Sequence, residues 1–204
     1  MNFALIAATA LPFVISPGAS FTITIGAATL GDRRAPVKVW AGTSLGIILI
    51  AGIAGLSGIG QLIAGSDSAQ TLFGITGGAV LIALGVISLI KTLHFTPQAR
   101  EPIQPNPRLV LWAFLAVITN VKAISLYALV VPTLYGAGAS GLALFLAFAA
   151  VHMILLLLWL GLLGEVVKRI PALGTARRAR TILLLFTAAT LIFLGSRTFI
   201  NAVL

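Results

Sequence analysis

Lys122 lies in the middle of an apolar run, within the stretch VITNVKAISLY that spans Val117–Tyr127. A cation at the centre of a membrane-spanning helix costs about 2.5–3.5 kcal/mol on insertion scales, so it needs a partner or a functional reason. The chain has only four acidic residues, and all lie in or beside polar connections: Asp32, Asp67, Glu101 and Glu165. The sequence therefore predicts that Lys122 binds the carboxylate of a solute or exchanges a proton, unless the span is placed so that Lys122 reaches the membrane interface.

A second interruption, Pro17-Gly18, falls within the apolar stretch Val14–Thr24 (VISPGASFTIT). Proline removes a backbone donor and its ring clashes with the preceding turn, while glycine has no side chain to brace the break. Inside a bilayer the freed carbonyls must be bound by protein, water or a ligand. Hydroxyl groups recur beside the break at helical spacing, at Ser16, Ser20 and Thr24. The pattern predicts either a helix opened toward a polar solute or an ordinary proline kink whose hydroxyls bond their own carbonyls.

His152 occupies the middle of another apolar run. It could relay protons near neutral pH, or it could be a neutral histidine that hydrogen-bonds a neighbouring helix. The other histidine, His94, lies in or beside a polar connection, and the chain has no cysteine, so no metal-ligand spacing is present. No Ser/His/Asp set or pair of intramembrane carboxylates suggests catalysis. We therefore expect neither an enzyme nor a bound metal or other cofactor.

Only long apolar helices could position these residues, because 59% of the 204 residues are hydrophobic and only 8% are charged. Soluble domains carry about 25% charged residues. The apolar runs are continuous rather than alternating and about 20 residues long, which predicts membrane-spanning helices rather than a barrel. We predict an all-α integral membrane protein with six transmembrane helices, at Phe3–Ala28, Val37–Ile63, Thr71–Ile90, Leu109–Val131, Gly141–Gly164 and Thr181–Ala202.

The net charge of +9 is distributed unevenly between the connections. Three basic residues (Arg33, Arg34 and Lys38) lie in the stretch GDRRAPVK, which joins the first two spans and includes the start of the second. Three lie between the third and fourth spans and five between the fifth and sixth, whereas the second and fourth connections contain none. Basic loops face the cytoplasm, so the odd-numbered connections are predicted to be cytoplasmic and both termini to lie outside. This distribution accounts for the positive charge without nucleic acid as a partner.

The third connection is a Pro-rich cytoplasmic linker, 92–108, which divides a single transmembrane domain (1–204) into halves of about 1–91 and 109–204. Three spans per half give the halves opposite orientations, which is the arrangement of an inverted repeat. Each interruption follows a similar triplet, Val-Ile-Ser or Val-Ile-Thr, and lies about 20 Å into its span at roughly 1.5 Å per residue. We predict two inverted three-helix repeats whose interruptions meet near the membrane centre and line one polar cavity.

Together these motifs resemble the LysE/RhtB family of bacterial amino-acid exporters, within the LysE translocator superfamily. PGA at Pro17–Ala19 is similar to that family's Pro-Gly-Pro, and TNVKA at Thr119–Ala123 is similar to its Asn-Pro-Lys motif. GDRRA at Gly31–Ala35, followed by Gly42 and Gly46, is similar to its Gly-Arg-Arg-Ala-Gly stretch and glycine-spaced second span. The resemblance covers nearly the whole chain in length, order and number of spans.

The chain departs from the family pattern where Ala19 and Val121 replace motif prolines, and it lacks an acidic residue often found after Gly46. The resemblance implies a secondary transporter of the bacterial inner membrane that exports amino acids or similar metabolites, with H+ as the expected coupling ion. A site with Lys122 and no carboxylate should repel lysine or arginine and accept neutral zwitterions or anions. Its predicted substrate-binding residues are Ser16, Pro17, Gly18, Ser20, Thr119, Asn120 and Lys122, with Lys122 and His152 as candidate proton relays.

Two alternatives stay open from the sequence. One is a superfamily relative that exports another solute, such as a metal ion or a lipid-linked product, although the chain offers few soft or carboxylate ligands for a metal. The other is a non-transporting membrane scaffold, which would not need a buried lysine and a broken helix at similar depth. The expected partners are a small-molecule substrate, a coupling ion and membrane lipids, and a homo-oligomer is also compatible with the sequence.

Overall fold

A computed structural model of the chain describes residues 2–29, 31–58, 66–93, 108–134, 141–169 and 177–203. Within these ranges every regular element is a helix and no strand occurs, which confirms the all-α prediction. The α-helices are α1 (Phe3–Ile15), α2 (Ala19–Thr29), α3 (Ala35–Leu56), α4 (Asp67–Leu93), α5 (Leu109–Ile118), α6 (Val121–Ser125), α7 (Leu142–Arg169) and α8 (Arg177–Val203). A π-helix, Leu126–Val130, and a 3-10 helix, Val131–Leu134, continue the chain beyond α6.

Local sequence signals explain where α1 and α3 begin and where α3 ends. Asn2 caps α1, because its side-chain oxygen accepts a hydrogen bond from the Leu5 N–H at 3.1 Å. Pro36 lies in the first turn of α3, where a missing N–H is tolerated. Gly58 follows the C-cap residue Ser57 with a φ of 72°, a left-handed conformation that glycine adopts at little cost.

Both predicted interruptions break a helix. The axes of α1 and α2 differ by 55° across residues 16–18, as expected from Pro17. The chain bends by 56° across the second break, between α5 and the segment that begins at Lys122. No proline lies at this second break; instead Thr119 and Asn120 bond the backbone through their side chains, which competes with helical pairing.

Three helical segments are long and apolar enough to cross a membrane: Ala35–Leu56, Asp67–Ile87 and Leu142–Arg169. The number rises to five if each bent pair is counted as one span. The predicted sixth span, Thr181–Ala202, falls on α8, whose apolar part Ala188–Val203 is shorter. The described chain thus contains three to five candidate spans, as in a multi-pass membrane protein, and the count of six stays a prediction.

Several helices extend into segments that were predicted to be connections. Asp67 begins α4, and Lys168 and Arg169 lie in the last turn of α7. An acidic residue in the first turn and basic residues in the last turn interact favourably with the helix dipole and stabilise the helix ends, so these polar ends remain helical. Other predicted connecting residues lie outside the described residues, among them His94, Arg100, most of the linker 92–108 and the Tyr135–Ser140 loop.

Helix α3 has α5 packed on one side and α7 on another. Gly42 allows the close approach of α5, because a Cβ there would overlap the backbone carbonyl oxygen of Val110. Helices α1 and α2 pack on α7, and α4 and α8 form a second close pair in which a Cβ at Gly78 would lie 2.8 Å from the Gly195 carbonyl oxygen. Glycine at these positions therefore lets the helix backbones approach closely.

Candidate functional site

The break between α1 and α2 leaves the backbone carbonyl of Phe13 without its usual helical partner, because Pro17 has no N–H. The Ser16 hydroxyl donates to this carbonyl oxygen at 3.1 Å. The Lys122 ammonium, from the other broken segment, also lies 3.5 Å from it and 5.4 Å from the centroid of the Phe13 ring. A cation within about 6 Å of an aromatic face is attracted by the ring quadrupole. The first break therefore supplies the contacts that hold the lysine of the second.

Asn120 positions Lys122 at the start of α6. Its side-chain oxygen accepts a hydrogen bond from the Lys122 N–H at 3.0 Å, which caps the short helix. The capped turn directs the lysine side chain toward α1 rather than along its own helix. Lys122 is partly buried, and it forms no salt bridge with any residue that the structure describes. The ammonium is thus held by a carbonyl and a ring instead of a carboxylate.

The two breaks line one cavity of about 70 Å³. Since a site needs about 10–15 Å³ to hold one water molecule, this space accommodates several waters or a small polar group. The lining includes six of the residues singled out from the sequence: Ser16, Gly18, Ser20, Asn120, Lys122 and His152. Among the residues that the structure describes, the lining carries no Asp or Glu. The polar part of the cavity lining is therefore cationic and rich in hydrogen-bond donors.

Helix α3 adds a hydroxyl to the same cavity. The Thr43 Oγ1 lies 2.9 Å from the Ser20 Oγ, so one of the two hydroxyls donates to the other. Thr43 is buried and lines the cavity, next to the packing glycine Gly42. Sequence reasoning missed it, since the available signal was only a small hydroxyl residue beside a glycine. The Ser20–Thr43 pair links α2 to α3 at the wall of the cavity.

His152 of α7 lies at another wall, within an aromatic cluster. Its Nδ1 is 3.2 Å from the Tyr127 hydroxyl oxygen, and the two rings are stacked with their planes 9° apart. Phe148, one turn earlier on α7, meets both rings edge-on at centroid distances of 5.6 Å and 6.3 Å. The structure thus supports the helix-bridging alternative for His152 and also places its ring at the cavity. Tyr127 is a further residue that sequence reasoning missed.

Two residues of the predicted set lie outside the cavity lining, Pro17 and Thr119. Thr119 is exposed, and its hydroxyl donates to the Leu115 carbonyl oxygen of its own helix at 2.8 Å. Pro17 acts on the site through the backbone, by freeing the Phe13 carbonyl. In the described part of the chain no group of three or more His, Cys, Asp or Glu residues is placed to bind a metal ion.

The comparisons with known proteins agree with this architecture. The family model described as LysE type translocator matches residues 11–202. No match was found among curated proteins or among solved structures. Because the matched region covers nearly the whole chain and includes both broken helices, the chain belongs to the LysE type translocator family, whose members are membrane exporters of small solutes.

Proposed function

We propose that this protein is a secondary transporter that exports amino acids or similar small zwitterionic or anionic metabolites across the bacterial inner membrane, coupled to an ion gradient, with H+ as the ion. The observation that carries the proposal is the position of Lys122. The second break brings this lysine against the first break, at a cavity where the described residues provide no carboxylate. A solute that supplies a carboxylate would complete the site.

The cavity offers suitable partners for such a carboxylate. The Lys122 ammonium would provide the charge, and the hydroxyls of Ser16, Ser20 and Thr43 lie on the same lining as hydrogen-bond donors. Gly18 contributes backbone without a side chain, which lets a solute approach closely. The cationic side chains of lysine or arginine would meet the charge of Lys122 and be repelled. Neutral and acidic amino acids are therefore the proposed substrates.

Proton coupling follows from the same contact. A carboxylate beside Lys122 favours the charged ammonium, so solute binding and proton retention on the lysine are linked. When the solute leaves, the Phe13 carbonyl and ring are again the contacts that the described residues give to the ammonium. We propose that Lys122 takes up one proton as the carboxylate binds and gives it up on the side where the solute leaves, so that solute and proton cross the membrane in the same direction.

The packing pattern supports two inverted repeats as the scaffold of transport. The second span (α3) packs on the fifth (α7), and the third (α4) packs on the sixth (α8). The first span packs on the fifth, and the fourth packs on the second. If spans one, two and three correspond to spans four, five and six, each of these contacts in one half has its counterpart in the other. The breaks bend the corresponding first and fourth spans by 55° and 56°. We propose that the halves 1–91 and 109–204 move against each other around the cavity.

Efflux from proteoliposomes tests the proposal. Vesicles containing the purified protein would be loaded with a mixture of the standard amino acids, and mass spectrometry would follow what leaves under an imposed proton gradient. We expect neutral or acidic amino acids to leave faster than from protein-free vesicles, and faster with a gradient that is acidic inside the vesicle than without a gradient. Efflux equal to that of protein-free vesicles, or selective for lysine and arginine, would contradict the proposal.

A further inference from the structure

The Tyr127 hydroxyl is enclosed within the bundle. Tyr127 has no exposed surface, and among the described residues its hydroxyl has the His152 Nδ1 as its hydrogen-bond partner, at 3.2 Å. A buried donor left without an acceptor costs about 1–3 kcal/mol. The hydroxyl hydrogen is therefore best directed at Nδ1, and a ring nitrogen accepts a hydrogen bond only when it carries no hydrogen itself.

This hydrogen bond determines the tautomer of His152. A neutral imidazole carries its hydrogen on one nitrogen, so acceptance at Nδ1 places the hydrogen on Nε2. His152 lines the cavity together with Lys122, whose positive charge opposes a second positive charge nearby. The edge of the ring opposite Nδ1 is then a neutral N–H donor.

We propose that Tyr127 holds His152 as the neutral Nε2–H tautomer, so that the cavity presents two donors, the Lys122 ammonium and the His152 N–H, to one anionic group of the solute. This inference rests on the proposed function in one respect, namely that the anionic group of the solute is a carboxylate. It makes His152 a solute-binding residue, makes Tyr127 a positioning residue, and leaves Lys122 as the proton carrier.

The local backbone explains how Tyr127 reaches this position. It lies on the π-helix Leu126–Val130, which follows the five-residue helix α6. A π-turn holds one more residue than an α-turn and so rotates the side chains around it, and such turns recur at functional sites. The break at Asn120 and the π-helix follow one another along the chain. The break places Lys122 at the cavity, and the π-helix places the Tyr127 hydroxyl against His152.

Nitrogen-15 NMR of the imidazole provides a direct test. The chain has two histidines, so a His94→Gln variant leaves His152 as the single imidazole signal. The protein would be labelled on histidine, reconstituted in lipid and measured near neutral pH. We expect a hydrogen on Nε2 and none on Nδ1. A hydrogen on Nδ1 alone, or on both nitrogens, would overturn the inference.

A Tyr127→Phe substitution removes only the hydroxyl and tests its positioning role. We expect a mixture of the two tautomers in this variant, whereas Tyr135→Phe, which removes the hydroxyl of the chain's other tyrosine, should leave the His152 spectrum unchanged. A spectrum that is the same in Tyr127→Phe as in the parent would show that the hydroxyl does not set the tautomer. These spectra do not depend on transport, so they can fail while the proposed function stands.

Amino-acid efflux separates a donor at His152 from a proton relay. A Gln side chain places an amide N–H near the position of Nε2 but cannot take up a proton. We expect His152→Gln to retain most of the efflux and His152→Ala to lower it roughly tenfold, as for a lost hydrogen bond to a charged group. Equal losses in both variants would overturn the donor role.

Discussion

At the scale of single residues, the backbone carbonyl of Phe13 connects the two broken helices. It is freed by Pro17, bonded by the Ser16 hydroxyl and approached by the Lys122 ammonium. A carbonyl and an aromatic ring are weak partners for a cation compared with a carboxylate. Among the described residues Lys122 is therefore held in place without a carboxylate to balance its charge, as the proposed site for an anionic group requires.

Asp32, between α2 and α3, gives a pH-dependent prediction. Its carboxylate accepts hydrogen bonds from Lys38 Nζ at 2.8 Å and from the Arg34 N–H at 2.9 Å, and the bond from Lys38 lowers the pKa of Asp32 below its ordinary value. A carboxyl whose pKa is lowered by folding stabilises the fold above its unfolded pKa, and this contribution is lost as pH falls through the folded value. We expect Asp32→Asn to lower the free energy of unfolding by at most ~1 kcal/mol at neutral pH, because the pair is partly exposed.

Thermal unfolding of the purified protein at several pH values checks this expectation. The difference between parent and Asp32→Asn should be present above about pH 5 and should fade as the pH falls below about 4. A difference that is constant over this range would contradict the role of the ionised carboxylate.

The residues of this site that could be recognised from the sequence are those whose residue type is unusual in an apolar run. Lys122 and Asn120 are polar within an apolar run, and Gly18 follows a proline, so each could be noticed in one dimension. Phe13 and Tyr127 could not, because their roles depend on a backbone carbonyl and on a partner from another helix. Thr119 was expected at the cavity, yet its hydroxyl bonds its own helix, since the chain turns immediately after it.

At the scale of helices, α3 and α5 are in close contact up to the second break. A Cβ at Gly42 would overlap the Val110 carbonyl oxygen, and a Cβ at Gly46 would overlap the Val117 side chain. The two glycines thus admit successive turns of α5, whose last residues lead directly into the break. Packing in the second span and the geometry of the site are in this way connected.

Alanine substitutions in α3 test the connection, with a matched control on the same helix. Gly42→Ala should destabilise the protein by about 1–3 kcal/mol, the usual cost of overpacking. Gly52→Ala should be neutral or stabilise by up to about 1 kcal/mol, because nothing lies within 4 Å of the added methyl group and alanine favours helix. Unfolding by detergent titration measures both, and equal effects of the two substitutions would contradict the packing role.

The two breaks could be predicted from sequence, but the π-helical form of one segment and the ends of two long helices could not. Pro17-Gly18 and Asn120 carry known local signals for ending a helix. The π-helix Leu126–Val130 carries none, because its residues are apolar like the spans around it. The longer ends of α4 and α7 were missed for a different reason, since helix dipoles let charged residues remain helical beyond the apolar core.

At the scale of the whole molecule, the arrangement of charge predicts orientation in the membrane. We expect Asp67, at the start of α4, to face outward and Arg177, at the start of α8, to face the cytoplasm. The chain has no cysteine, so single cysteines can be introduced without background. An impermeant thiol reagent should label Asp67→Cys in intact cells and Arg177→Cys only after permeabilisation. Labelling of Arg177→Cys in intact cells would overturn the assignment.

Efflux by Lys122→Met proteoliposomes tests the central claim most directly. Methionine keeps much of the apolar stem and removes the charge, so the variant should insert at least as well as the parent. Arg197→Met is the matched control, because Arg197 is also a base within a predicted span but is exposed and absent from the cavity lining. Lys122→Arg should also be impaired, since a guanidinium holds its proton and has a different shape.

At matched protein levels, we predict that Lys122→Met releases amino acids no faster than protein-free vesicles, while Arg197→Met releases them at the parental rate. Parental efflux by Lys122→Met would contradict the account, and would show that the cavity between the two broken helices works without its lysine.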